Sequence, residues 1–122
     1  MPADKVIGIL ADVLGVEPEI ITLESNLISD LGAESIDFVD IVFGLEQEFK
    51  LKIMPGDIFP QFLKDVKIFE DDGSIVPSVK QRIVGEYPHI PASVIEAFGE
   101  GKKPEIFFQV GIVDSFIARK LN

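Results

Sequence analysis

The residue of this sequence with the clearest chemical use is a serine at the start of a strong helical pattern. Ser35 lies in the acidic stretch Asp30-Leu31-Gly32-Ala33-Glu34-Ser35-Ile36-Asp37. A serine at a helix start commonly caps the helix, because its oxygen accepts a backbone N–H bond worth about 1 kcal/mol. Here the serine follows a long loop and is surrounded by acids, and this context favours a recognition site over a simple cap.

Other residue types that support catalysis or metal binding are scarce. The chain has no cysteine and a single histidine, His89, so neither a zinc site nor a cysteine nucleophile can be assembled. We expect His89 to be a surface turn residue. No pair of carboxylates is placed in an apolar stretch for acid–base work. Residues 71–74 predict a tight turn and no calcium loop, because Ile68 and Val79 would occupy ligand positions. We therefore predict no catalytic residue and no metal site.

Three helices are predicted to position the serine. Apolar periodicity predicts helices over 4–14 and 35–50, and Pro104 suits the first turn of a final helix over about 104–121. Residues 16–34 show no sustained period, and a loop of this length in a compact domain is functional or anchored. Its expected anchors in the core are Ile20, Ile21, Leu23, Leu27 and Leu31. The segment 55–103 is rich in proline and glycine, and we interpret it as short helices and turns.

The helix over 35–50 carries two neighbouring stripes. The first is apolar throughout, as expected of a buried face, and consists of Phe38, Ile41, Val42, Leu45 and Phe49. The second mixes apolar, acidic and amide side chains, and consists of Ile36, Val39, Asp40, Phe43 and Gln47. Because packing one face needs only the first stripe, the second is a candidate docking surface.

Composition and charge restrict the class of protein. The chain has 122 residues, a hydrophobic content of 47% and a net charge of −10, which predicts one folded domain over 1–122. Residues 1–54 hold eleven acidic and three basic side chains. This charge argues against nucleic acid and favours basic protein surfaces as partners. The sequence shows no membrane span and no secretory signal. We therefore expect a cytoplasmic monomer.

These features together resemble the acyl carrier proteins, whose second helix opens with an Asp-x-Gly-x-Asp-Ser-Leu motif. The resemblance covers residues 4–54, including Leu14-Gly15-Val16 and Glu46-Gln47-Glu48-Phe49. It resumes at about 106–121, from Val110-Gly111 to Phe116-Ile117. Glu34 and Ile36 replace the usual Asp and Leu, and an insertion at about 55–103 replaces the family's short third helix.

The resemblance implies an all-α, four-helix acyl-carrier-type bundle with an inserted, mostly helical subdomain. It implies that Ser35 carries 4′-phosphopantetheine, whose thiol holds acyl groups as thioesters for enzymes of fatty-acid, specialised lipid or polyketide synthesis. A helix N-terminus tolerates the phosphodiester well. The protein would then be a carrier and not an enzyme.

The resemblance also implies partners and binding residues. The expected partners are a phosphopantetheinyl transferase, acyl-transferring and condensing enzymes with basic docking surfaces, and the acyl chain itself. The residues expected to contact partner enzymes are Glu34, Ile36, Asp37, Val39, Asp40, Phe43 and Glu46. The residues expected to line an acyl pocket are Leu27, Ile41, Leu45 and Ile53.

Two alternatives remain from the sequence. An aminoacyl or peptidyl carrier uses the same arm but usually has Gly-Gly before the residue that precedes the serine, whereas this chain has Gly32-Ala33 and more acids. An unmodified helical adaptor would use Ser35 only as a cap. The apolar residues of the insertion need a partner surface. The insertion therefore either only enlarges the core, or it forms a wall of the pocket for an unusual acyl group or selects a dedicated partner.

Overall fold

A computed structural model describes residues 2–54 and 56–121, in which helices are joined by loops. Its helices are α1 (Pro2–Leu14), α2 (Ser35–Phe49), α3 (Pro77–Glu86), α4 (Ala92–Gly101) and α5 (Val110–Leu121). Shorter 3₁₀ turns cover Pro18–Ile20, Gln61–Asp65 and Pro104–Phe107. Within the described ranges, β-pairing is limited to two isolated bridges. The predicted all-α class is confirmed. The single domain over 1–122 stays a prediction.

The predicted helices over 4–14 and 35–50 correspond to α1 and α2. The prediction of one last helix from about 104 is wrong, because Pro104–Phe107 is a separate 3₁₀ turn and α5 begins at Val110. The break has a physical cause. The carbonyl of Phe108 accepts the N–H of Leu27 at 2.8 Å, and Gln109 forms a bridge to Asn26, so the backbone here bonds the loop and not a helix.

Helices α1 and α2 pack closely against each other. Their buried side chains include Val6 and Leu10 from α1 and Ile41 and Leu45 from α2. The side chain of Ile9 packs directly on Gly44, where a Cβ atom would lie 2.8 Å from Cγ2 of Ile9. Helix α5 also contacts α1 and completes this part of the core.

The loop between α1 and α2 is anchored to the end of the chain. Gly15 and Gly32 adopt positive φ at the ends of the loop, 68° and 73°. Between them, Asn26 Nδ2 donates to the carbonyl of Glu105, and the N–H of Val110 donates to the carbonyl of Ser25. Three of the expected anchors are buried, namely Ile21, Leu27 and Leu31, but Ile20 and Leu23 are exposed. The expectation was wrong for these two.

The inserted segment contributes to the common core. Apolar side chains from α3 and α4, such as Ile83 and Phe98, are fully buried, and the rings of Phe98 and Phe107 lie 4.8 Å apart. The tight turn predicted at 71–74 is present, with the N–H of Glu70 bonded to the carbonyl of Ser74 at 2.7 Å. The short helices expected within 55–103 include α3 and α4.

His89 is buried, contrary to the surface position expected for it. Only 6% of its surface is exposed, and its ring lies 5.1 Å from that of Phe116. Its Nε2 lies 2.7 Å from the carbonyl oxygen of Ile58. Burial lowers the pKa of His89, and the hydrogen bond to Ile58 opposes this effect in part. The histidine is therefore an internal hydrogen-bonding group that joins two parts of the inserted segment, the turn before α4 and the backbone at Ile58.

Candidate functional site

Ser35 is the first residue of α2 and is exposed to solvent. The residue before it, Glu34, is extended and occupies the N-cap position, and its N–H donates to Oδ2 of Asp37 at 2.8 Å. In the ranges that the structure describes, the hydroxyl of Ser35 has no hydrogen-bond partner. The capping role considered for Ser35 therefore belongs to the Glu34–Asp37 pair, and the serine oxygen remains accessible.

The start of α2 offers backbone donors beside this hydroxyl. The N–H of Asp37 donates to the carbonyl of Glu34 at 2.9 Å, whereas the N–H groups of Ser35 and Ile36 have no partner among the described residues. The positive end of a helix dipole favours an anion by about 0.3–1 kcal/mol. An anionic ester on Ser35 would therefore lie beside the unpaired N–H groups of Ser35 and Ile36.

Ser35 is one of the residues that line an apolar cavity of about 450 Å³. Three residues of α2 line it, Ser35, Phe38 and Val42, and their spacing places them on one face of the helix. The other lining residues come from the loops and from the inserted segment: Ile28, Ile53, Met54, Gly56, Ile58, Phe59, Pro60, Gln61, Leu63, Lys64, Ile68, Pro104, Phe107 and Phe108. The serine thus opens onto a cavity with mostly hydrocarbon walls.

Aromatic rings hold the walls of the cavity together. The rings of Phe38 and Phe59 lie 5.8 Å apart, and that of Phe108 lies 5.5 Å from Phe38 and 4.8 Å from Phe59. Such pairs contribute about 0.5–1.5 kcal/mol beyond their buried area. Because Phe59 belongs to the inserted segment, this segment both enlarges the core and forms a wall of the cavity.

Of the four residues predicted to line an acyl pocket, Ile53 lines this cavity and the other three do not. Leu27, Ile41 and Leu45 are buried in the core. With 3.6 residues per turn, Leu45 lies about a fifth of a turn and Ile41 about a third of a turn away from the mean direction of Ser35 and Val42. The sequence identified them as apolar and inward-facing, but the packing of α1 determines which inward face meets the cavity.

The residues predicted to meet partners occupy two kinds of position. The apolar ones, Ile36, Val39 and Phe43, are 69%, 68% and 61% exposed and form an unpaired strip along α2. The acidic ones differ in their surroundings: Glu34 and Asp40 are exposed, Asp37 and Glu46 are partly buried. Glu46 accepts the N–H of Ile53 through Oε2 at 3.0 Å.

Sequence reasoning missed several cavity residues. Phe59 and Leu63 belong to the inserted segment, whose apolar residues were expected only as a group to need a partner surface, and Lys64 was not considered. Lys64 is the one charged residue among those lining the cavity. No local pattern connects positions 59–64 with Ser35, because the contact depends on how the inserted segment folds back. In the described part of the chain, no group of acidic or histidine residues could hold a metal ion, and no helix could cross a membrane.

Comparisons with known proteins agree with this geometry. Residues 4–61 match the family model described as "Phosphopantetheine attachment site". The acyl carrier protein AcpXL of Mesorhizobium japonicum is 39% identical over 80 residues, which cover 66% of this chain and 85% of that protein. An acyl carrier protein of Syntrophobacter fumaroxidans is 47% identical over 53 residues, which cover 43% of this chain and 65% of that protein. The chain therefore belongs to the acyl carrier protein family, whose prosthetic group is covalently attached 4′-phosphopantetheine.

Proposed function

We propose that this protein carries acyl groups as thioesters on a 4′-phosphopantetheine arm attached through Oγ of Ser35. It delivers them to enzymes of fatty-acid, specialised lipid or polyketide synthesis and is itself not an enzyme. The observation that carries the proposal is the exposed serine, which opens onto an apolar cavity of about 450 Å³.

The surroundings of Ser35 suit the prosthetic group. Its hydroxyl is accessible for ester formation, and the free N–H groups of Ser35 and Ile36 can bond a phosphodiester at that position. When bound, the group supplies a terminal thiol, which the chain itself lacks because it contains no cysteine. The residues of α2 position the ester, and the cavity excludes water from an attached chain.

The cavity walls favour an acyl group over the aminoacyl or peptidyl groups of the alternative carrier. Polar side chains in the lining are few, namely Ser35, Gln61 and Lys64, so a charged amino group would lose hydration without gaining a partner. A saturated hydrocarbon chain instead gains about 0.8 kcal/mol for each methylene buried. The adaptor alternative loses its support because Asp37 caps α2.

Partner enzymes are proposed to dock on the exposed side of α2. The strip of Ile36, Val39 and Phe43 offers apolar contact, and the acids along it attract basic surfaces. Each exposed charge pair contributes only about 0–1 kcal/mol, but several together raise the rate of association. The proposed acidic contacts are Glu34, Asp37, Asp40 and Glu46. The proposed partners are a phosphopantetheinyl transferase and acyl-transferring and condensing enzymes, met by a monomeric carrier in the cytoplasm.

The absence of cysteine gives a direct test of this proposal. The purified apoprotein is treated with coenzyme A and a phosphopantetheinyl transferase, then denatured and titrated for thiols. We expect one thiol per chain, none in Ser35→Ala, and one in the control Ser29→Ala, which removes a nearby exposed serine. A thiol gained by Ser35→Ala would show that another residue carries the arm.

A further inference from the structure

Glu46 holds the chain that follows α2 by three hydrogen bonds. Its backbone carbonyl accepts the N–H groups of Lys50 and Leu51, the latter at 3.3 Å, as α2 ends with Lys50 in the left-handed conformation at φ 54°. Its side chain accepts the N–H of Ile53 at 3.0 Å. One residue thus fixes both the end of the helix and the path of the next residues.

The third bond acts on a wall of the cavity. Ile53 and Met54 line the cavity, and residues 51–54 have no regular secondary structure of their own. Among the described residues, the bond from Ile53 to Glu46 is the only hydrogen bond between a side chain of α2 and this segment. The carboxylate of Glu46 therefore positions Ile53 at the edge of the cavity.

The same carboxylate lies next to the exposed strip of α2. Glu46 follows Val39 by seven residues and Phe43 by three, which places all three on neighbouring parts of one face. Glu46 is only partly buried, so a guanidinium or ammonium group docked on the strip can reach it. The exposed acids Glu34 and Asp40 make no side-chain hydrogen bond to another element within the described ranges. Glu46 is thus the acid that connects the docking face with the cavity wall.

We propose that Glu46 is a positioning residue whose carboxylate exchanges the N–H of Ile53 for a cation of the docked partner, which loosens the cavity wall during acyl transfer. The proposal rests on the proposed function for the identity of the cavity's occupant and of the partner. The replacement of the Ile53 N–H by a cation at the Glu46 carboxylate can be tested without knowing the occupant of the cavity or the partner. Docking and release of the acyl chain are thereby coupled through one side chain.

The test compares variants that separate the acceptor oxygen from the charge. Glu46→Gln keeps an oxygen that can accept the N–H of Ile53, whereas Glu46→Ala removes it. Glu48→Ala is the matched control, because Glu48 lies on the same helix but pairs with Lys5 at 3.4 Å. Amide exchange of Ile53 is measured by NMR in the apoprotein, with the amide of the buried Leu10 as a reference for global unfolding. A hexa-arginine peptide serves as the cationic probe.

We expect Ile53 to exchange at least about tenfold faster in Glu46→Ala, since its N–H loses a hydrogen bond to a charged acceptor. We expect a smaller acceleration in Glu46→Gln, whose neutral amide oxygen makes a weaker hydrogen bond, and wild-type rates for Ile53 in Glu48→Ala and for the Leu10 amide. The peptide should accelerate Ile53 exchange in the wild type but not in Glu46→Gln. Unchanged exchange in Glu46→Ala, or an equal effect of the peptide on both proteins, overturns the proposal.

Thioester hydrolysis separates this proposal from the proposed function. Acyl-loaded Glu46→Ala should hydrolyse several times faster than the wild type, and Glu46→Gln should not. If Ile53 exchanges faster in Glu46→Ala while hydrolysis is unchanged, Glu46 still positions the wall, but the proposed occupancy of the cavity and its coupling to docking are wrong.

Discussion

Replacement of Val42 by phenylalanine is expected to shorten the acyl chain that the protein can shield from water. Val42 lines the cavity from α2, two turns beyond Ser35. A phenyl ring at this position would extend into the volume of about 450 Å³ and occupy space along the path of a chain that enters from the serine. The cavity of Val42→Phe should therefore be filled by fewer methylenes than that of the wild type.

The magnitude follows from the apolar lining. Each methylene that enters the cavity contributes about 0.8 kcal/mol, which is about a fourfold change in the ratio of shielded to exposed chains. The rate of thioester cleavage should thus fall by up to about fourfold for each added methylene until the cavity is full. Beyond that length the rate should become constant. In Val42→Phe the constant rate should be reached at a shorter chain and at a higher value.

The assay measures hydroxylamine cleavage of thioesters on holoprotein loaded with saturated chains of increasing length. Val84→Phe serves as the control, because Val84 is exposed on α3 and does not line the cavity. The folded state of each variant is checked by urea unfolding. If Val42→Phe and the wild type show the same dependence on chain length, the acyl chain does not occupy this cavity and the reasoning is refuted.

Two further predictions concern stability. Gly44→Ala should lower the unfolding free energy by about 1 kcal/mol, because overpacking against Ile9 exceeds the gain in helix propensity. Urea unfolding measures this change. The double variant with Ile9→Ala should lose less stability than the sum of the two single variants. Because burial lowers the pKa of folded His89, the unfolded chain binds a proton as the pH falls below about 6.5 while the folded chain does not. The unfolding free energy should therefore decrease as the pH falls from 7 towards the lowered pKa of His89, by at most about 1.4 kcal/mol per pH unit. His89→Gln should show a flatter dependence of the unfolding free energy on pH. Identical pH profiles for the two proteins would contradict the role given to His89.

The sequence was sufficient to predict those features of the fold that depend on the periodicity of side chains along one helix. The ends of α2 and the strip of Ile36, Val39 and Phe43 follow from side-chain spacing along one helix. The sequence was insufficient to predict contacts between elements that are far apart along the chain. Burial of His89 depends on the carbonyl of Ile58, 31 residues earlier in the chain. No pattern around the histidine contains that information.

The residues that line the cavity could not be predicted from the sequence for the same reason. Ile41 and Leu45 have the apolar character of pocket residues, but they pack in the core instead. Apolar spacing shows that a side chain faces inward, and it does not distinguish two inward faces separated by a fraction of a turn. The choice between them is made by α1 on one side and by Phe59 and Phe108 on the other.

The attachment of the loop before α2 to residues 105–111 has a consequence for biosynthesis. The bond from Asn26 to Glu105 spans 79 residues, and Leu27 and Ser25 are bonded to Phe108 and Val110. During translation the loop therefore lacks its partners until residues 105–111 have left the ribosome. An enzyme that recognises Ser35 in its folded setting would pass over nascent chains from which residues 105–111 have not yet emerged.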